Sequence, residues 1–208
     1  MDRPLESPVQ NTVQVIDCGL AEYRQVLRRQ IEIHARRVTG QAPDTVLVCE
    51  HPPVITLGAH KAANKLLADP DKLAVQGIDV VEVNRGGGTT AHNPGQLVFY
   101  PILDLKRRGL SAGLYVRTLE EIGIELLEGL GVRSQRRQGL PGLWVDDRKI
   151  ASIGVRIQKG VTFHGMAVNI HNDLTCFDLF VPCGLDGVRM TSASRETGRP
   201  CPMAPVKE

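Results

Sequence analysis

Apolar and polar positions alternate in short runs along most of this chain, interrupted by two stretches of helical spacing. Residues 13–17 (Val-Gln-Val-Ile-Asp) read as a short strand. Over 20–37 the side chains Leu20, Tyr23, Leu27, Ile31 and His34 recur near helical spacing with charges between them, which predicts an amphipathic helix. A β-rich run at 45–49 and, past the Pro52-Pro53 break, another at 54–57 predict strands. Residues 61–67 suit a short helix, and 79–83 and 96–103 predict strands on either side of a glycine-rich segment. The second long helix spans 118–130, with Gly131 placed to stop it. Three strands then follow, at 143–145, 149–157 and 161–170. The turns between them, Asp146-Asp147-Arg148 and Gln158-Lys159-Gly160, have hairpin composition.

Two helices among many strands, with consecutive hairpins, predict an α+β fold. The expected architecture is a single domain with a mixed, mainly antiparallel sheet flanked by helices. The patterned part runs over 13–191. Residues 1–12, polar and carrying Pro4 and Pro8, and residues 192–208, rich in Ser, Gly, Pro and charge, read as flexible tails.

Composition narrows the function. A net charge of +2 in 208 residues gives no global field for nucleic acid or a membrane surface. Aromatics at 4% leave little for a base-stacking surface. The first residues lack the apolar core of a signal peptide, and no later stretch has the length of a membrane span. Five cysteines, an odd number with no Cys-x-x-Cys pair, argue against a disulfide framework or structural zinc and for reduced thiols in a cytoplasm. The six histidines form no His-x-x-x-His or mixed Cys/His cluster, so a metal site is not expected. The usual dinucleotide and P-loop phosphate motifs are absent.

Three segments carry candidate chemistry. The densest runs from Asn84 to Gln96 and contains Arg85, Gly86, Gly87, Gly88, Thr89, Thr90, Ala91 and His92. Three adjacent glycines contribute no packing and cost conformational entropy, which makes sense where backbone must approach a ligand closely. A flexible hairpin loop has the same composition. The second is Pro182-Cys183-Gly184, where glycine leaves one side of the sulfur open to a bulky thioester. A nucleophilic cysteine needs a lowered pKa and partial exposure, whereas most cysteines are small buried hydrophobes. Cys176, in a more apolar setting, is the natural decoy. The third is Lys149-Ile150-Ala151-Ser152-Ile153-Gly154, an alternating strand headed by a lysine, with the strand Phe163-His164-Gly165-Met166-Ala167-Val168-Asn169 beside it. Ser152, Gly154, Gly165 and Ala167 are small enough to line a groove for an alkyl chain. They suit a close strand–strand contact equally well.

Taken in order, these segments resemble the lipoyl(octanoyl) transferases of the biotin and lipoate ligase superfamily, over most of the chain from about Val15 to Met190. The resemblance rests on His51-Pro52-Pro53-Val54-Ile55-Thr56-Leu57-Gly58, the Arg85-to-Gln96 loop continuing into Tyr100-Pro101, the Lys149-to-Gly154 strand, His164-to-Asn169, and Pro182-Cys183-Gly184. It implies an α+β domain around a curved sheet. It implies an acyl site at Arg85 to His92, at Ser152, Ile153 and Gly154, and at Gly165, Met166 and Ala167. Cys183 falls on the family's acyl-carrying cysteine, and Lys149 on the lysine that lowers its pKa. Ala91 stands where the family usually has an aromatic, which directs attention to pocket shape and acyl-chain selectivity.

The implied reaction moves an octanoyl group from octanoyl-acyl carrier protein, on its phosphopantetheine arm, to a lysine of a lipoyl domain through a Cys183 thioester. The implied acceptors are lipoyl domains of 2-oxoacid dehydrogenase complexes and the glycine cleavage H protein, with neither ATP nor metal as cofactor. The basic runs Lys106-Arg107-Arg108 and Arg133 to Arg137 are candidate docking sites for an acidic carrier protein, or simply solvated loop charges. An ATP-dependent lipoate or biotin ligase of the same superfamily is the nearest alternative, and a non-catalytic acyl-carrier-protein binding module the alternative of another class. The Pro-Cys-Gly element weighs against the first, since such ligases do not require the cysteine.

Overall fold

The structure, a computed structural model, describes residues 12–184 and 187–206, with the backbone alone of Cys183 and Pro205. In chain order it comprises β1 (Val13–Leu20), α1 (Tyr23–Val38), β2 (Asp44–Glu50), β3 (Val54–Leu57), α2 (Pro70–Val75), β4 (Asp79–Glu82), β5 (Thr90–His92) and β6 (Gln96–Ile102). These are followed by α3 (Ala112–Gly129), β7 (Gln135–Arg137), β8 (Leu140–Val145), β9 (Arg148–Gln158), β10 (Val161–Asn169), β11 (Arg189–Met190) and α4 (Ala193–Thr197). The main sheet has the order β1-β2-β6-β10-β9-β8-β7, with β11 beside β9. Its pairings are antiparallel except β1 with β2 and β11 with β9. A smaller sheet, β4-β3-β5, carries the glycine-rich segment. This is the mixed, mainly antiparallel α+β arrangement expected from the pattern.

The period-2 alternation of the strands sorts side chains onto two faces. On β6, Leu97 and Phe99 join Leu143, Ala151, Met166 and Val168 under α3. Val98, Tyr100 and Ile102 instead join Leu47, Cys49, Phe163 and Ala167 on the α1 side. Helix α3 starts at the Ser111 cap, whose Oγ accepts from Leu114 N at 3.2 Å. It begins six residues before the expected 118, and ends as anticipated at Gly131, with φ +85°. Its Gly123 lets the sheet come close: a methyl there would sit 2.7 Å from Leu143 Cδ1.

Helix α1 is rotated from its expected face. Its buried positions are Tyr23, Val26, Gln30, His34 and Arg37, while Ile31 is exposed. Apolar periodicity misread it because much of the buried face is polar and held by hydrogen bonds. Gln30 Oε1 accepts from His164 N at 2.8 Å, His34 Nε2 meets Gln158 O at 3.1 Å, and Arg37 Nε donates to Asp44 at 2.6 Å. Burial works against the Asp44 carboxylate, but hydrogen bonds from Arg37, the Asp104 N–H and Arg108 together hold its pKa below the usual range.

The short helix expected at 61–67 is a 3-10 turn over Lys61–Ala63, and α2 follows it, capped by Asp69 with Pro70 in its first turn. Where a free C-terminal tail is expected, α4 forms instead, and Ala193 and Cys201 enter the α3 core. Among the described residues no helix is long and apolar enough to cross a membrane.

Candidate active site

The glycine-rich loop is held by three backbone hydrogen bonds, one to β9 and two from the adjacent residues Ala59 and His60. Gly86 N donates to Val155 O at 2.9 Å, Ala59 N to Arg85 O at 2.9 Å, and His60 N to Gly87 O at 3.2 Å. Gly87 takes φ +81°, a left-handed conformation that favours glycine. Gly88 is glycine for a different reason: a methyl there would lie 2.6 Å from Ala63 Cβ. Arg85 anchors the loop to β3. Its guanidinium is buried and donates to Thr56 Oγ1 at 2.7 Å, Thr56 O at 2.8 Å and Gly86 O at 3.0 Å. Thr89 is wholly buried, with its hydroxyl 3.4 Å from Asn64 Oδ1.

Beneath this loop lies a narrow cavity on the α1 side of the sheet. Of the expected binding residues, Arg85, Gly87, Thr90, His92, Ser152, Ile153, Gly154, Gly165, Met166 and Ala167 line it. Ile153 and Met166 border it while belonging to the core on the other face. Gly154 and Gly165 leave its walls no room for a side chain. A methyl at 154 would sit 2.9 Å from Gly86 O, and one at 165 would sit 2.8 Å from Pro101 Cδ. Ala91 does not line it: between Thr90 and His92 it turns the other way, into the cluster of Ile55, Leu73, Phe177 and Phe180. The departure at Ala91 therefore alters packing behind the loop rather than the shape of the cavity.

Lys149 is 3% exposed. Strict alternation would put it on the opposite face from Ser152, three positions on. A bulge intervenes, because Leu143 pairs with Ala151 while the next residue, Trp144, pairs with Lys149. Ile150 and Ala151 both enter the α3 core, which returns Lys149 to the face of Ser152. There Lys149 Nζ lies 5.3 Å from the Trp144 ring centroid, and its Cε would sit 2.9 Å from a methyl at Gly142. The side chain of Cys183 lies outside the described residues; its backbone belongs to a 3-10 turn over Pro182–Gly184. That turn is tied on both sides. Ala63 is wedged between Gly88 and Gly184, where a methyl on Gly184 would lie 2.8 Å from its Cβ. Seven positions after Cys183, Met190 pairs with Lys149, and Thr191 N donates to Lys149 O at 2.9 Å.

Four cavity residues escaped the sequence reading as site residues: Tyr23, Val98, Tyr100 and His164. Tyr100 and His164 stand inside segments already singled out, but nothing in a linear pattern says which way a ring points. Burial keeps the surrounding imidazoles neutral. His51 is pushed down to about 4. His164 falls to about 3, by burial and then by the Arg85 and Arg156 cations. His92 is driven well below its ordinary value, again first by burial. At Cys176, burial and the Asp173 carboxylate push the thiol up to about 12, and its Sγ lies 3.3 Å from Asp173 O.

Three cations of the basic runs are engaged within the molecule. Arg108 pairs with Asp44, Arg136 with Glu120 and Glu121, and Arg137 lies over the Trp144 ring. Among the described residues, no group of three histidine, cysteine or acidic side chains is set to hold a metal ion.

Residues 22–208 match the family model described as the lipoyl protein ligase A/B catalytic domain. The chain is 43% identical to the octanoyltransferase of Chloroflexus aggregans over 200 residues, covering 95% of this chain and 90% of that one. Among solved structures, a lipoate-protein ligase A bound with ATP superposes with a TM-score of 0.62 at 16% identity, over 88% of this chain and 75% of that one. The structure of an archaeal lipoylation system from Thermoplasma acidophilum, a bipartite lipoate protein ligase and its E2 lipoyl domain, gives 0.56 at 16% identity, over 91% and 72%. Both structural likenesses speak to the fold.

Proposed function

The chain belongs to the lipoyl protein ligase A/B catalytic family, and from that premise we propose that it is an octanoyltransferase working through Cys183 and Lys149. The observation that carries this reading is the buried Lys149, brought by the bulge onto the same sheet face as the small-residue cavity wall of Ser152, Gly154 and Ala167. Cys183, as thiolate, attacks the octanoyl thioester on the phosphopantetheine arm of acyl carrier protein, and the carrier's thiol departs with a proton. The lysine amine of a lipoyl domain then attacks the acyl-enzyme, forming the amide and regenerating the Cys183 thiol. The acceptors are the lipoyl domains of 2-oxoacid dehydrogenase complexes and the glycine cleavage H protein. The first step exchanges one thioester for another and the second runs downhill to an amide, so the cycle needs neither ATP nor metal. A cytoplasm keeps the thiol reduced.

An unperturbed thiol near pKa 8.5 is only a few per cent ionised at neutral pH. An ammonium within several ångströms lowers that by about one to three units, and Lys149 fills this role while relaying protons to the leaving thiol and from the incoming amine. Arg85, Gly87, Thr90 and His92, with Ser152 to Gly154 and Gly165 to Ala167, enclose the alkyl chain.

Incubation with octanoyl-acyl carrier protein tests the reading by intact-protein mass spectrometry. An octanoyl adduct is expected in the wild type without ATP, retained in Cys176→Ser and lost in Cys183→Ser. A full-strength adduct in Cys183→Ser refutes the nucleophile. Lys149→Ala should move thiol alkylation to higher pH, and an unchanged profile removes Lys149 from the pair.

A further inference from the structure

The cavity floor is a straight row across the main sheet. Gly142 on β8 pairs with Ser152 on β9, Ser152 with Ala167 on β10, Ala167 with Val98 on β6, and Val98 with Cys49 on β2. Lys149 Cε lies against Gly142, at the first end. Strands stand about 4.8 Å apart, so the two steps from Ser152 to Val98 span roughly 10 Å, on the scale of an extended eight-carbon chain. At the far end the row of small residues stops and rings begin.

Hydrogen bonds fix three of those rings, His51, Tyr100 and His92. His51 Nδ1 donates to Ala21 O at 2.7 Å, which leaves its Nε2 to accept from the Tyr100 hydroxyl at 2.9 Å. Gln96 Nε2 donates to Ala91 O and Asn169 Oδ1, so its Oε1 accepts from His92 Nδ1 at 2.7 Å. Tyr23, 3% exposed, closes the end, stacked 5.7 Å from His92 and edge-on 5.2 Å from His51. Tyr23 itself packs into an apolar cluster with Val54, Val81 and Val83, with Leu27 against it.

Resting on the transferase reading above, we infer that Tyr23, backed by His92 and Tyr100, is the end wall that sets the acyl-chain length this enzyme accepts. A chain anchored at the Lys149 end runs over Ser152, Ala167 and Val98 and meets the wall at about its eighth carbon. Longer chains need the Tyr23 ring to move, and the locked histidines prevent it. Shortening Tyr23 joins the cavity to the apolar space among Val54, Val81 and Val83, which suits additional methylenes. Enlarging it draws the wall inward.

The test is the ratio of kcat/KM values for hexanoyl-, octanoyl-, decanoyl- and dodecanoyl-acyl carrier protein with one lipoyl-domain acceptor. A ratio is insensitive to a general loss of folded enzyme. The wild type should fall at least about tenfold from octanoyl to decanoyl, since a single methylene in a fitted pocket is worth about that much. In Tyr23→Ala, or in Tyr23→Leu should the first not fold, the decanoyl-to-octanoyl ratio should rise at least about tenfold. Tyr23→Trp should shift preference toward hexanoyl. A wild-type profile that is flat with length, or one that stays unmoved in both directions of substitution, overturns the assignment while leaving the transferase reading intact. A protein that accepts no acyl group from any of the four carriers refutes the transferase reading, and the ruler with it.

Discussion

Gly58 lies far from the glycine loop in sequence yet directly beneath it, and Gly58→Ala tests how tightly the loop is held. A methyl at 58 would lie 2.9 Å from both the Gly87 carbonyl carbon and Gly88 O, and closer still to Gly87 O. These are backbone atoms and cannot rotate away. The loop must retreat by about an ångström, a displacement that on its own can cost about 100-fold in rate when it misplaces bound substrate. The retreat also weakens the bonds from Ala59 N to Arg85 O and from His60 N to Gly87 O. At about 1 kcal/mol each, that predicts a stability loss of about 2 kcal/mol. Octanoyl transfer kinetics and urea denaturation measure the two effects separately. We expect kcat/KM to fall by about 100-fold in a protein that is still folded at 25 °C. Wild-type kcat/KM together with an unshifted urea midpoint would show that the loop yields freely, and would refute the account of why 58 is glycine.

Two further outcomes follow from buried charge. Asp44→Asn leaves the Arg37 guanidinium, 5% exposed, with the more distant Asp104 as its remaining carboxylate at 3.6 Å. Stability should drop by about 3 kcal/mol at neutral pH, read from urea unfolding with an unchanged m-value; a loss below about 1 kcal/mol would mean that Asp104 takes over the pairing. His51 and His164 are held neutral, at about 4 and about 3, while the unfolded chain protonates them near 6.5. The unfolded state therefore binds more protons below pH 6.5, and stability falls as pH falls, by about 3 kcal/mol between pH 6.5 and 5 for the two together. An unfolding free energy that stays level over that window would contradict the neutral, buried placement of both rings.

Much of the architecture is legible in one dimension because strand alternation and helix stops are local properties. The runs at 45–49, 54–57, 149–157 and 161–170 and the stop at Gly131 all form as their patterns predict. The face of α1 is not legible: Gln30, His34 and Arg37 are buried because partners from β10, the end of β9 and β2 come to meet them. The C-terminal stretch reads as tail by composition, yet Ala193 and Cys201 pack into a core whose other buried members lie between Leu97 and Ile170. Likewise the sense of Ala91 depends on β5 pairing with β3, which turns it into the Phe177–Phe180 cluster and its neighbours into the cavity.

The site divides along the same line. The glycine loop, the lysine strand and the Pro-Cys-Gly turn are each visible in the sequence, but each has a bland structural alternative there, and it is their order along the chain, through the family resemblance, that joins them into one site. What alternation cannot deliver is Lys149 on the same face as Ser152, because three positions along a regular strand means opposite faces. That result comes from an extra residue at Ile150, and a bulge belongs to a pair of strands: it exists only because β8 and β9 slip register between Leu143 and Trp144. The end of the acyl channel is likewise a property of assembly. Tyr23, His51, His92 and Tyr100 come from four separate segments and meet only once the two sheets and α1 have closed around them.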